Sequence, residues 1–301
     1  MKEMHEHKGL SISYACALFG HCRQAYYQQQ TDYRSRRRTE REIVAAAKEQ
    51  REQAPGIGCV KLYLILLSIF GREQMMGRDS FLRLMRRNRM TLPPPRPRHT
   101  TNSFHRYHKY KNLIKGFTPD RANRLWVSDI TYIETEEGFC YLHLITDAYS
   151  HKIIGWRLSE SLKAEHTLEA LRDAIARCGG GDLTGLIHHS DRGSQYCCDM
   201  YVSELRRHNI SISMTEGYKP TDNAIAERAN GIIKQELVYR SGRFSGIEQA
   251  REAISGYISF YNEKRPHMSI GMNTPEGAHG MSGELKKRWR RKKYAAKASV
   301  T

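Results

Sequence analysis

Residues 126–133 read WVSDITYI, 139–146 read FCYLHLIT, and 152–158 read KIIGWRL. Each run is short and rich in β-branched and aromatic side chains, the composition of a strand. Glu136-Glu137-Gly138 supplies a hairpin turn between the first two, and Asp147–Ser150 joins the second to the third. Downstream, Leu162–Arg177 has a helical period that stops at Cys178-Gly179-Gly180-Gly181, a C-terminal cap and turn. Leu186–His189 predicts a strand, Gln195–His208 a helix and Ile210–Met214 a strand. Asp222–Val238 predicts a long helix with Asp222 as its N-cap. The order β-β-β-α-β-α-β-α, three antiparallel strands and then crossover units, predicts an α/β fold: a mixed sheet covered by helices.

Three carboxylates stand out in this frame. Asp129 lies mid-strand among residues that favour burial, where an ionised carboxylate is expensive unless paired or bound to metal. Asp191 follows an apolar strand directly, at the carboxyl end where α/β sheets place ligands. Glu227 belongs to a polar stripe at i, i+4, i+7 and i+11, namely Asn223, Glu227, Asn230 and Lys234. The other side of that helix offers Ile225, Ala229, Ile232, Ile233 and Leu237 to a core. Two aspartates on strands and a glutamate on a covering helix suit one or two hard cations, Mg²⁺ or Mn²⁺, held by oxygen. A pair of such ions serves in-line phosphoryl displacement. Taken singly, each residue also fits a bland role: a strand residue, a turn with Arg192-Gly193, a solvated helix face.

The charge distribution points the same way. Lys and Arg number 49 against 32 Asp and Glu, a net +17. Residues 1–119 hold 23 basic and 9 acidic side chains, residues 120–236 hold 13 and 18, and residues 237–301 hold 13 and 5. A mildly acidic centre between basic flanks suits a polyanionic partner gripped by its phosphates. Part of the charge, Lys286–Lys293 (KKRWRRKK) in particular, also reads as ordinary surface solvation. The longest apolar run, Leu62–Phe70, is far short of the ~18 residues of a membrane span. Met1–His7 is polar and lacks the apolar core of a signal peptide, so an intracellular protein without a membrane partner is expected.

The N-terminal third reads as helical. SISYACALFGHCRQAYY (11–27) suggests a short helix–turn–helix around Gly20, 34–53 a charged helix, and 58–70 an apolar one. Phe81–Met90, FLRLMRRNRM, alternates apolar residues with arginines, so Arg86 and Arg87 are candidate groove contacts. Pro93, Pro94, Pro95 and Pro97 end regular structure. The expected divisions are a helical DNA-binding region over 1–92, a Pro-rich basic linker over 93–121, a catalytic core over 122–240, and a helical and basic extension over 241–301. His5, His7, Cys16, His21 and Cys22 invite a zinc reading, but their spacing fits no common finger and no zinc is expected. Seven cysteines without a CxxC pair argue against a disulfide framework. Cys197 and Cys198 are expected in the core. His188 and His189 are expected to pack within a strand, with at most one facing the site.

WVSDITYI, HHSDRGSQY, DNAIAER and YNEKRPHMSIGMNTP, in this order and spacing, resemble the integrase-core transposases of bacterial insertion sequences. The similarity is to the second-frame protein (OrfB) of the IS-three family, related to retroviral integrases, and runs from residue 11 to Pro275. It implies an RNase H-like core with Asp129, Asp191 and Glu227 as catalytic metal ligands. It also implies Mg²⁺, with two ions and Mn²⁺ as a substitute, and no nucleotide cofactor. Lys234 stands where the family has a basic residue near the terminal DNA, and Arg228, Asn230, Arg265 and His267 are further expected DNA contacts. After the glutamate the family commonly has aromatic residues, where this chain has Arg228-Ala229-Asn230. The implied activity is metal-dependent strand cleavage at element ends and transfer of the 3′-hydroxyl into target DNA. The implied partners are double-stranded DNA, a second protomer or more on DNA, and an upstream OrfA protein or a frameshift fusion with it. The implied location is the cytoplasm, on the nucleoid. A DNA-binding regulator with a silent triad, or a nuclease that cuts without joining, would share part of these features.

Overall fold

Strand β1 (Leu125–Thr135) pairs antiparallel with β2 (Gly138–Asp147) in continuous register from Trp126↔Asp147 to Thr135↔Gly138. Gly138 takes φ 128° at the turn, a conformation that favours glycine. β3 (Ile153–Ser159) pairs antiparallel with β2, with a register shift at Ile145/Thr146. β4 (Ile187–Ser190) and β5 (Ser211–Met214) add in parallel on the other side of β1, giving the order β3-β2-β1-β4-β5. This mixed five-stranded sheet, with a meander of three strands and two parallel crossovers, has the RNase H-like arrangement. The computed structural model describes residues 11–20, 22–92, 106–216 and 223–286. The expected cap Asp222, the prolines at 93–97, most of KKRWRRKK, and His5, His7 and His21 lie outside the described residues.

Helices cover both faces. α5 (Ala164–Arg177) and α7 (Asp199–Arg207) close a core of Trp126, Ile145, Leu171, Ala174, Tyr196 and Tyr201. α8 (Ala224–Ile233) covers the opposite face, where Leu125, Val127, Ala148 and Ala226 meet. Neighbouring residues of β1 thus enter different cores, and burial of each large apolar side chain contributes about 1.5–3 kcal/mol. α5 lies so close to β3 that a Cβ on Gly155 would collide with the Ala170 carbonyl and the Ala174 methyl. The edge strand β3 is covered by α10 (Ile247–Glu263). Asn262 accepts from Ile153 N–H at 2.9 Å and donates to the Ile153 carbonyl at 2.9 Å, which removes the edge as a template for foreign strands.

The expected helix Gln195–His208 is broken. α6 (Ser194–Cys197) ends at Cys198, whose ψ of 152° is extended, and α7 starts afresh. Cys197 is buried against Met214, whereas Cys198 sits at the break and is half-buried. The expected helix 222–238 also changes character. After α8 the residues Lys234–Val238 form a π-turn, followed by the short helix α9 (Tyr239–Ser241). α10 ends at Glu263, and α11 (Pro275–His279) opens with Thr274 accepting from Gly277 N–H.

The chain divides into two compact units, residues 1–50 with 66–91 and residues 51–65 with 92–301. Residues 51–65, expected with the N-terminal region, thus pack within the sheet-bearing unit. The first unit is helical. α1 (Ile12–Leu18) is capped by Ser11, and α2 runs unbroken from Arg23 to Gln53, merging the second helix of the expected helix–turn–helix with the charged helix after it. α3 spans Cys59–Gln74 with a kink at Gly71, and α4 (Arg78–Arg87) buries Phe81, Leu84 and Met85. Arg86 and Arg87 are on its exposed side, Arg87 paired with Glu40 at 2.6 Å. Among the described residues, no helix is long and apolar enough to cross a membrane.

Candidate active site

β4 lies beside β1 only from Leu125↔Ile187 to Val127↔His189. Two positions beyond that last pair stand Asp129 on β1 and Asp191 just past β4. The separation by two keeps Asp129 on the face of Val127, the face that α8 covers, and Asp191 lies just past the end of β4. The strands therefore part where the two carboxylates stand, at the carboxyl ends of parallel strands. Asp191 is held by a local turn, its Oδ1 accepting from Gly193 N–H at 2.9 Å, and Gly193 then caps α6.

α8 is fastened to β1 by two side-chain amides. Asn223 donates to the Ser128 carbonyl at 3.0 Å, and Asn230 donates to Asp129 Oδ2 at 2.8 Å. Asp129 Oδ1 also accepts from Ile130 N–H at 2.9 Å. Glu227, three residues before Asn230, is in the first turn of α8 and exposed. Lys234, four residues after Asn230, places its Nζ 4.2 Å from the centre of the Tyr132 ring. The polar stripe read from the sequence is thus the face of α8 turned to the two aspartates.

The charges oppose one another. Burial, then the negative charge of Asp191, pushes Asp129 up to about 7; Glu227 adds to this, while the Asn230 amide and the Ile130 N–H pull it down. Burial also raises Glu227. Burial lowers Lys234, against the attraction of Asp129. Below the aspartates, the Ser128 hydroxyl donates to the Leu144 carbonyl and lies 3.2 Å from the Tyr196 hydroxyl. Burial and the charges of Asp191 and Asp129 hold Tyr196 protonated. Among the described residues, no three His, Cys, Asp or Glu side chains are gathered tightly enough to hold an ion as they stand. The donor set nevertheless fits a hard divalent cation: all oxygen, two of the carboxylates in mutual repulsion.

Several expected contacts are placed differently. Arg265 is 1% exposed and forms a two-pronged pair with Glu236, Nε to Oε2 at 2.8 Å and Nη2 to Oε1 at 2.7 Å. It has no surface for a phosphate. His267 is 5% exposed and stacks on His151 with ring centres 4.6 Å apart. Asn230, expected on DNA, is buried and spends its amide on Asp129. Each correction has one cause: the partner is remote in sequence. Arg228 is exposed beside Glu227. His188 and His189 are both buried, bonded to Tyr201 and Ser213, and fill the strand as expected. Sequence reasoning missed the contact of Lys234 with Tyr132, because an aromatic within a strand does not announce a partner on a distant helix.

The integrase core domain family matches residues 119–220, and a second family of the same description matches residues 208–275. The chain is 36% identical over 204 residues to the insertion element IS600 31 kDa protein of Shigella sonnei, covering 67% of this chain and 74% of that one. It is 34% identical over 168 residues to the transposase InsF for insertion sequence IS3A of Escherichia coli, covering 55% of this chain and 57% of that one. It is 36% identical over 160 residues to the insertion element IS986/IS6110 protein of Mycobacterium tuberculosis, covering 52% of this chain and 58% of that one. The fold and the site define an integrase core. The chain belongs to the DDE transposases of the IS3 family of insertion sequences. It spans under two thirds of the mycobacterial relative it matches.

Proposed function

We propose that the protein is a transposase that cuts phosphodiesters at the ends of its insertion sequence and joins the freed 3′-hydroxyl to target DNA. One observation carries this reading: Asp129 and Asp191 stand side by side where β1 and β4 part, with the Glu227 helix pinned over them by Asn223 and Asn230. Asp129, Asp191 and Glu227 would hold Mg²⁺, with Mn²⁺ as a substitute, and Glu227 must turn inward to complete the set. Two such ions, when bound, polarise the attacking oxygen and neutralise the leaving one. Asn230 and the Ile130 N–H each hold one Asp129 oxygen, and each oxygen keeps a second lone pair for a cation. Lys234 and Arg228 offer positive charge to the flanking phosphates. No nucleotide cofactor is needed, because bond energy passes from one phosphodiester to the next.

The helical unit with Arg86 and Arg87 is assigned to double-stranded DNA, and the divisions 1–92, 93–121, 122–240 and 241–301 to DNA binding, linker, catalysis and extension. Joining two ends calls for a dimer or larger assembly on DNA. An OrfA partner or fusion would supply further end binding, and the reaction belongs to the cytoplasm, on the nucleoid. The test compares the protein with its Asp191→Asn variant on DNA carrying the element's ends, in Mg²⁺ or in EDTA, with products mapped to the nucleotide. Cleavage at the ends followed by joined products, only in the unaltered protein and only with metal, is expected. Binding without any cut would favour a DNA-binding regulator instead.

A further inference from the structure

Among the described residues, β1 beyond Val127 has no strand neighbour on the β4 side until Thr135 meets Phe244, and Asn223 takes the Ser128 carbonyl, so residues 129–134 form an edge without a strand partner next to the carboxylates. Tyr132 stands on this edge, three residues or about 10 Å along the strand from Asp129. Its ring meets Phe139 of β2 edge-to-face, with centres 5.7 Å apart and planes at 87°. Both are exposed, Tyr132 by 38% and Phe139 by 57%. Isolated exposed aromatics are ordinary; an exposed pair capped by a lysine from another element is not. Tyr132 and Asp129 have opposite parity on β1, yet Lys234 both feels the Asp129 charge and lies over the Tyr132 ring. Lys234 thus reaches round the open edge, linking the carboxylates to the aromatic pair.

An aromatic face beside a cation, next to a phosphate-processing centre, is the combination that holds an unpaired nucleotide: the ring takes the base and the cation takes its phosphate. Glu134, opposite Phe139 in the register, is already paired with Arg243, which leaves Lys234 as the charge turned to the Tyr132 ring. We infer that Tyr132 and Phe139 form a stacking platform for the DNA base that flanks the scissile phosphate, received out of its pair. The inference rests on the proposed transposase reading and adds a positioning site to it. Opening the end of a duplex is unfavourable, and the platform offsets that by stacking the displaced base.

The test measures cleavage by the full chain of two substrates, element ends fully paired and ends mismatched at the nucleotides flanking the cut, using Tyr132→Ala, Tyr132→Phe and Phe139→Ala. The alanine variants are expected to lose roughly 5- to 150-fold on paired ends, the range set by stacking one base on an aromatic ring. They should regain most of it on mismatched ends, where the base is already free. Tyr132→Phe should cut both like the unaltered protein. The platform is overturned if the alanine variants cut paired ends normally, if their loss is equal on both substrates, or if Tyr132→Phe is as poor as Tyr132→Ala. A change of oligomeric state in the alanine variants with equal activity on both substrates would make the patch an interface instead. If the unaltered protein cuts neither substrate, the transposase reading fails and the platform with it; normal cutting with an unchanged ratio removes the platform alone.

Discussion

Asn230 donates its side-chain amide to Asp129 across the gap between helix α8 and strand β1, at 2.8 Å. The bond sets the rotation of α8 about its axis. With Asn230 turned to Asp129, the i−3 and i+4 positions, Glu227 and Lys234, must face the same side. It also favours the charged form of a carboxylate that burial and Asp191 disfavour. Asn230→Ala therefore loses both orientation and charge stabilisation. Cleavage should fall at least tenfold while DNA binding holds, and Asn230→Asp, which adds a negative charge at the same point, should be worse. A cleavage time course beside a binding titration reads both.

Metal binding should depend on pH through Asp129. With its carboxyl near 7, a cation must displace a proton below that pH, so apparent affinity for Mg²⁺ should fall about tenfold per pH unit as pH drops from 7 towards 5. In Asp191→Asn the repulsion that helps raise Asp129 is gone, and the fall should begin at lower pH. Calorimetric titration of Mn²⁺ in two buffers of different ionisation enthalpy counts the protons released.

The same carboxylate should weaken the metal-free fold at high pH. Its folded value lies above the ordinary 3.8, so the folded state binds more protons between about 4 and 7. Stability is then retained below 4 and lost as pH rises through 7. Asp129→Asn should melt higher than the unaltered protein at pH 8, by up to about 4 kcal/mol in stability, with the difference vanishing near pH 4. Melting curves in EDTA at both pH values measure this.

Glu236 is the reverse case. Burial pushes its carboxyl up, but Arg265 and Lys61 outweigh that and hold it down at about 2, with Tyr257 donating a further hydrogen bond at 2.9 Å. Removing one member of a buried pair strands the other, so Glu236→Gln should destabilise by about 3–5 kcal/mol in urea unfolding. The stabilisation belongs to pH above the ordinary 4.5 and is lost as pH falls towards 2. Arg265→Met, where folded, should leave the salt dependence of DNA binding unchanged, whereas Lys234→Ala should reduce its slope by about one.

Gly155→Ala should push α5 off β3. The new methyl would meet the Ala170 carbonyl and the Ala174 side chain at once, backbone and a short side chain that have little freedom to move. A loss of about 1–3 kcal/mol or more follows from overpacking of this kind, and denaturant midpoints with an unchanged slope would show it.

Much of this architecture is local information. Alternation and β-branching mark β1, β2 and β3 to within one or two residues, the glycine run ends α5 within one, and Asp129 betrays itself as a carboxylate where burial is favoured. The misplacements are of other kinds. The break at Cys198 and the π-turn at Lys234–Val238 follow from packing, which overrides a helical period that the residues themselves support. Arg265 reads as a surface cation because its partner, Glu236, is 29 residues away.

The sequence by itself determined the fold class, the order of its elements, and the three residue types, two aspartates and a glutamate, on which the chemistry is proposed to turn. Those depend on periodicity and on the preference of each side chain for burial, which act over a few neighbours. Only the tertiary structure decided which pairs of polar groups meet: Asn230 with Asp129, Arg265 with Glu236, Lys234 over Tyr132. Such pairings depend on strand register and helix rotation, and these are set by the joint packing of residues 29 to 102 positions apart in the chain.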